Sequence, residues 1–416
     1  MTPATRGGPL WRRWDFNKLW AGQTASSVGS QITLVAGPLV AALTLHVTSV
    51  QMGLLRGAEV VPGVVVGLGA GAWADRARRR PLLIAADLVR GLALATIPVA
   101  ALLGVLDLAQ LFAVFIVTGA ATTMFGAAYP AYLPTLVRRD DLVDANARLR
   151  LSSSAAQTAG PALGGALVQL VTGPLAIAVD ACSFLASALS LAWIRIEEPA
   201  PSRPSGEGGG GSVIASIGEG LRYVAADPLP RAVAGTSAIF NLFDGVIFAV
   251  YVLYVTRDLH LDALALGLIF AACGVGGLAG ALLARRLEAR LTAGPTLICG
   301  IALATAGELL IPFAGGPEAL AVSVLTLAEF AVGVGVTVWL INSVSLLQVH
   351  IPNSLQGRVN GTMGIAWSGL EALGAVVGGV LGQMAGLRAP LIVGAAGTSL
   401  ALLWLVLSPV RSAHLE

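Results

Sequence analysis

Long apolar runs separated by short charged segments fill the chain from residue 19 to residue 408. A bilayer span needs roughly 20 mostly apolar residues. Twelve stretches qualify: 19–46, 51–72, 81–104, 109–136, 146–171, 174–194, 230–256, 263–284, 294–314, 317–345, 357–384 and 388–408. The pattern predicts an all-α integral membrane protein. Between the sixth and seventh runs, Arg195 to Ser212 (RIEEPAPSRPSGEGGGGS) is rich in Pro, Gly and Ser and reads as a flexible linker. Val213 to Ala226 then reads as a short amphipathic helix at the membrane surface. The expected organisation is an amino-terminal six-helix bundle (1–194), a linker with its helix (195–229) and a carboxyl-terminal six-helix bundle (230–416).

The two halves resemble each other. In run five, Gly160, Gly164 and Gly165 follow Asn146 at the same offsets as Gly374, Gly378 and Gly379 follow Asn360 in run eleven. GAWADRARRR at 71–80 has a worn counterpart in GALLARRLEA at 280–289. Two related halves in parallel orientation form a known transporter architecture. Many of the 51 glycines recur every fourth residue inside apolar runs, the small-xxx-small pattern of close helix packing.

Composition supports this reading. Only 12% of residues are charged and mean hydropathy is +0.81, whereas soluble domains carry about 25% charged residues. With the amino terminus inside, 21 of the 25 Lys and Arg fall on the inner side, as the positive-inside rule requires. Both termini are therefore expected in the cytoplasm. Net charge is +2, which gives no case for nucleic acid. The three Cys and four His are scattered, so no metal site or cofactor is expected. No phosphate-cradling loop, nucleophile elbow or His-Glu metal motif occurs, so an enzyme is not expected.

The segment from Gly71 to Pro81, containing Asp75, Arg76, Arg79 and Arg80, resembles the loop 2–3 signature of the major facilitator superfamily. Arg78 stands where that pattern has its second glycine. Ala86-Asp87-Leu88-Val89-Arg90, Asn146 through Gly165, Leu221-Arg222-Tyr223-Val224 and Leu355 through Gly361 are similar to the drug:proton antiporter branch, which includes macrolide efflux proteins and the enterobactin exporter. The resemblance implies the major facilitator fold, twelve transmembrane helices in two pseudo-symmetric bundles. It implies a bacterial inner-membrane exporter of a small amphiphilic compound (drug, antibiotic or siderophore), with protons and membrane lipids as partners and the monomer as the working unit. It also implies that Asp75, with Gly71, Arg76, Arg79 and Arg80, forms a conformational latch docking near the start of span eleven. Two other readings are a lipid or lysolipid translocator without proton coupling and a non-transporting receptor.

Charges inside spans cost roughly 2.5–3.5 kcal/mol each on insertion scales, so those retained are functional candidates. They are Arg56, Glu59, Asp87, Arg90, Asp180, Asp244, Glu308, Glu329 and Glu371. Arg56 and Glu59 share a helix face, as do Asp87 and Arg90, the latter read as an intramembrane charge pair. A proton-coupled exporter needs a carboxylate reachable from each side in turn, its protonation balanced between burial and a nearby cation. Glu59 beside Arg56 is the first candidate; Asp244, Glu329 and Glu371 are alternatives. The cavity is expected near the midplane between the halves. Its candidate lining is Gln31, Met124, Phe125, Tyr129, Asn241, Phe248, Trp339, Asn342 and Trp367.

Overall fold

The computed structural model describes residues 13–76, 78–196, 198 and 213–412, less the side chains of 68–76, 213–217, 353, 354 and 412. Thirteen α-helices occur among them: α1 (Trp14–Leu39), α2 (Ser49–Arg76), α3 (Arg79–Leu102), α4 (Leu108–Leu136), α5 (Leu142–Leu170), α6 (Gly173–Ala192), α7 (Val213–Ala226), α8 (Pro228–Leu253), α9 (Ala263–Leu291), α10 (Ala293–Leu310), α11 (Glu318–His350), α12 (Asn353–Ala385) and α13 (Arg388–Leu407). Helix is what the bilayer demands, because a spanning segment must satisfy its own backbone groups.

Eleven described helices are long and apolar enough to cross a membrane. The twelfth expected span, α5, is long enough at 29 residues but more polar. Asn146, Arg148, Arg150, Ser152, Ser153, Ser154 and Gln157 crowd its first half. The short amphipathic helix expected at Val213–Ala226 is α7. Many large apolar side chains are exposed, including Leu92, Leu282, Leu327 and Leu403. A soluble protein would bury such a surface, whereas lipid covers it here.

Packing reproduces the internal repeat. Gly160 and Gly164 of α5 lie against Gln31 and Ile32 of α1, while Gly165 meets Ala263 and Gly267 of α9. Gly374 and Gly378 of α12 lie against Leu242 and Val246 of α8, while Gly379 meets Ser49 and Val50 of α2. Each glycine trio thus joins its own half twice and the opposite half once. The first helix of each half also ends alike. A π-turn, Val40–Thr44 or Tyr254–Asp258, is followed by a histidine of positive φ, His46 at 50° or His260 at 55°.

Among the described residues the halves meet tightly at the end away from the arginine-rich loops, where the α2–α12 and α5–α9 glycine contacts close the seam. There Arg257 donates from its guanidinium to the Val47 carbonyl (2.9 Å) and the Ala42 carbonyl (3.3 Å). At the arginine-rich end, an added Cβ on Gly357, Gly361 or Gly364 of α12 would meet nothing within 4 Å. A cavity of about 590 Å³ opens there, walled by α2, α4 and α12.

Candidate functional site

The site begins with glycine. Gly53 of α2 lies against the Ala375 carbonyl of α12, and Gly245 of α8 lies against the Glu371 carbonyl. A side chain at either position would strike backbone, so both contacts bring helix axes closer than larger residues permit. One turn further along α2 and α12, that spacing lets long side chains meet. Arg56 donates to Glu371 Oε1 from Nη2 at 2.6 Å and from Nε at 3.1 Å. It also donates from Nη1 to Glu59 Oε2 at 2.7 Å. The Phe248 ring of α8 lies 4.7 Å from the guanidinium carbon, a cation–π distance.

One cation is therefore shared between a carboxylate of its own half and one of the opposite half. Arg56 and Glu371 are each about one-fifth exposed, while Glu59 is 44% exposed and faces open space. Arginine suits the position because its planar fork reaches two acceptors and stacks on a ring. The Arg56–Glu59 pairing is the one the i, i+3 spacing implies. Glu371 as second partner is not implied by spacing, since 315 residues separate it from Arg56.

Two cavities meet at this cluster. The open one reaches Arg56 and Glu59 from the arginine-rich end. A second, of about 290 Å³, lies beyond it within the amino-terminal half, with α8 as one wall. Its lining combines rings (Phe115, Phe184, Phe248) with polar groups (Gln31, Thr33, Asp180) and the guanidiniums of Arg56 and Arg90. An apolar wall with a few polar groups suits an amphiphile.

Of the other residues singled out by sequence, Gln31 and Phe248 line this cavity. Phe125, Trp339 and Asn342 are buried in helix packing. Phe125 stacks on Tyr129 with ring centroids 5.6 Å apart. Asn342 donates to the Val338 carbonyl of its own helix, as Asn241 does to Ser237. Trp367 packs against the core around Trp339. Met124 is partly buried on α4, and like these packing residues it is not among those lining the two cavities. Phe115, Phe184 and Thr33 line the cavity without having been singled out, since Phe and Thr are ordinary in apolar helices.

Asp87 and Arg90 form their expected ion pair and are almost fully buried. The Arg90 guanidinium lies between Phe125 (4.5 Å) and Phe184 (4.2 Å). Asp180 accepts from Thr33 Oγ1 at 2.6 Å and from Ser183 Oγ at 3.1 Å. Asp244 faces Glu308, Glu371 and Arg56. Glu329 lies beside Tyr251 and Cys273. Of the latch group, the side chains of Gly71, Asp75 and Arg76 lie outside the described residues. Glu198 accepts from the backbone N–H groups of Arg79 (2.9 Å) and Arg80 (3.1 Å) at the start of α3. The Arg80 side chain donates to the carbonyls of Leu191 and Ala192 at the end of α6.

Residues 7–415 match the family model described as transmembrane secretion effector. The chain is 27% identical over 395 residues to the multidrug efflux pump Tap of Mycolicibacterium fortuitum, with 92% of each chain covered. It is 27% identical over 385 residues to the enterobactin exporter EntS of Citrobacter koseri, covering 89% of this chain and 85% of the relative. A bacterial homologue of the iron transporter ferroportin, solved in an inward-facing state, superposes with a TM-score of 0.75 at 17% identity, covering 98% of this chain and 100% of that one. The nucleoside transporter NupG superposes with a TM-score of 0.75 at 13% identity, covering 94% and 98%. These two likenesses show the fold. The chain belongs to the transmembrane secretion effector family of the major facilitator superfamily and is a multi-pass membrane exporter.

Proposed function

We propose that this protein exports a small amphiphilic compound by proton antiport, with the Arg56–Glu59–Glu371 cluster as the coupling element. The observation that carries the reading is that one guanidinium binds carboxylates of both halves. In the empty, deprotonated carrier, Arg56 bridges to Glu371 across the seam and holds the halves in the arrangement seen. A proton on Glu371 removes its charge and weakens the bridge. A substrate entering beside Phe248 competes for the same groups. Either event frees the halves to rock about the cavity, whereas the empty deprotonated carrier stays put. That selectivity is the requirement for exchange without leak.

The relatives' names support export of drug-like or siderophore-like molecules, and the ring-lined cavity suits both. The arginine-rich end is assigned to the cytoplasm of a bacterial inner membrane on the Lys and Arg bias, which puts both termini inside. One chain carries the whole cluster, so a monomer suffices.

The test uses purified protein in inside-out vesicles with an imposed proton gradient and a panel of macrolides, catecholate siderophores and lysolipids. Gradient-dependent uptake of one class, with proton movement, is expected. Uptake of lysolipid unaffected by the gradient would replace this reading with an uncoupled lipid translocator.

A further inference from the structure

Glu308 of α10 has the most unusual surroundings of any acid among the described residues. It is 1% exposed, and neither carboxylate oxygen has a hydrogen-bond donor. The charged groups facing it are Asp244 of α8 and Glu329 of α11, both carboxylates. Thr398 of α13 also lies beside it, but that hydroxyl donates to the Ala395 carbonyl at 2.9 Å. Asp180 shows what a supplied buried acid looks like, since the Thr33 hydroxyl donates to it at 2.6 Å. Glu308 has no such supply. An isolated carboxylate ion with neither cation nor donor is among the costliest groups to bury.

Its close polar neighbours are the Thr398 hydroxyl and the Asp244 carboxyl. Two ionised carboxylates have four acceptor oxygens and no hydrogen between them. Such a contact becomes a bond only when one member carries a proton, and like charges at that distance prevent both from ionising. Local packing builds the contact. Gly394 and Gly397 of α13 lie against Phe243 of α8, so α8 sits close to α13, which also packs on α10.

We propose that Asp244 and Glu308 form a proton-binding site inside the carboxyl-terminal half, two carboxylates sharing one hydrogen. The site is distinct from the cavity, but Asp244 also faces Arg56 of α2 and Glu371 of α12. In the proposed relay the O–H bond at Asp244 breaks as one forms at Glu371, and charge is conserved across the three acids. The pair is a reservoir behind the coupling element, and this role rests on the antiport reading.

The test is infrared difference spectroscopy of the purified full-length protein in deuterated buffer, read at the carbonyl stretch of a protonated carboxylic acid. Wild type is expected to show this band at neutral pH, and Glu308→Gln to lose one carboxylic-acid equivalent of it. Thr398→Val keeps both acids but alters the group beside Glu308, and is expected to shift the band without loss of area. It serves alone if Glu308→Gln does not fold. A carbonyl from Glu329, which lies beside Tyr251 and Cys273, is untouched by Glu308→Gln. A band unchanged in both area and position in the folded variants overturns the proposal. Because the signal needs no substrate, it separates the two readings. Loss of the band in Glu308→Gln, in a protein whose wild type exports without moving protons, keeps the site and removes antiport. An unchanged band with proton-coupled wild-type export does the reverse.

Discussion

The two halves share a fold and a glycine pattern but treat intramembrane charge in opposite ways. In the amino-terminal half each in-span acid has a partner within that half: Glu59 has Arg56, Asp87 has Arg90, and Asp180 has the Thr33 hydroxyl. In the carboxyl-terminal half Asp244, Glu308, Glu329 and Glu371 share no in-span cation of their own. Only Glu371 acquires one by contact, and Arg56 of the opposite half supplies it. The packing frame is thus duplicated while the chemistry is not. Static pairing marks one half, and acids left for a mobile proton mark the other.

Removing the shared cation should break this contrast most severely. Arg56→Gln strips two carboxylates of their partner, and breaking a buried ion pair typically costs about 3–5 kcal/mol. Export by reconstituted protein should fall by about 100-fold or more, the equivalent of roughly 3 kcal/mol, with insertion judged by gel filtration. Adding Glu371→Gln to Arg56→Gln should then cost little more, because both changes remove the same contact.

A static pair should respond differently. Asp87→Asn leaves Arg90 buried without its counter-ion, so the expected loss is in stability, about 3 kcal/mol. Thermal unfolding of the detergent-solubilised protein checks it. An unaltered midpoint with impaired export would move Asp87 from the static to the mobile class.

The two ends of α12 provide a smaller contrast. Gly378→Ala forces a methyl group against the Val246 backbone and should lower the unfolding midpoint, with a cost of about 1–3 kcal/mol. Gly361→Ala places its methyl in open space, and on helix propensity it should be neutral or slightly stabilising. At the closed end, Arg257→Gln removes two hydrogen bonds. At about 1 kcal/mol net, it should change the ratio of the two rocking states by about fivefold, measurable by crosslinking across the α2–α12 seam.

The spans, the linker helix and the doubling of the fold were legible in the sequence because each rests on local periodicity. The exception is instructive: α5 reads as a span by length, while Arg148, Arg150 and its serines keep it below membrane apolarity. The in-span charges were equally legible, since the bilayer makes each conspicuous. What could not be read was pairing across the halves. Arg56 and Glu59 announce themselves at three residues' separation, but Arg56 and Glu371 meet only because Gly53 seats on Ala375. Burial was also hidden. Phe125 and Trp339 have the composition of cavity residues yet pack in the core, since periodicity shows that a helix crosses the bilayer but not which neighbour covers each face.

The most direct test asks whether a proton at Glu371 releases the halves. Spin labels at Val64→Cys and Ile365→Cys, which face the open cavity from α2 and α12, would be placed in a background lacking Cys182, Cys273 and Cys299. The distance between them would be measured by pulsed electron resonance from alkaline to acidic pH. The account predicts long distances at alkaline pH, a growing population of short ones on acidification, and no pH response in Glu371→Gln. The same pH response in Glu371→Gln as in the Glu371 protein would contradict it.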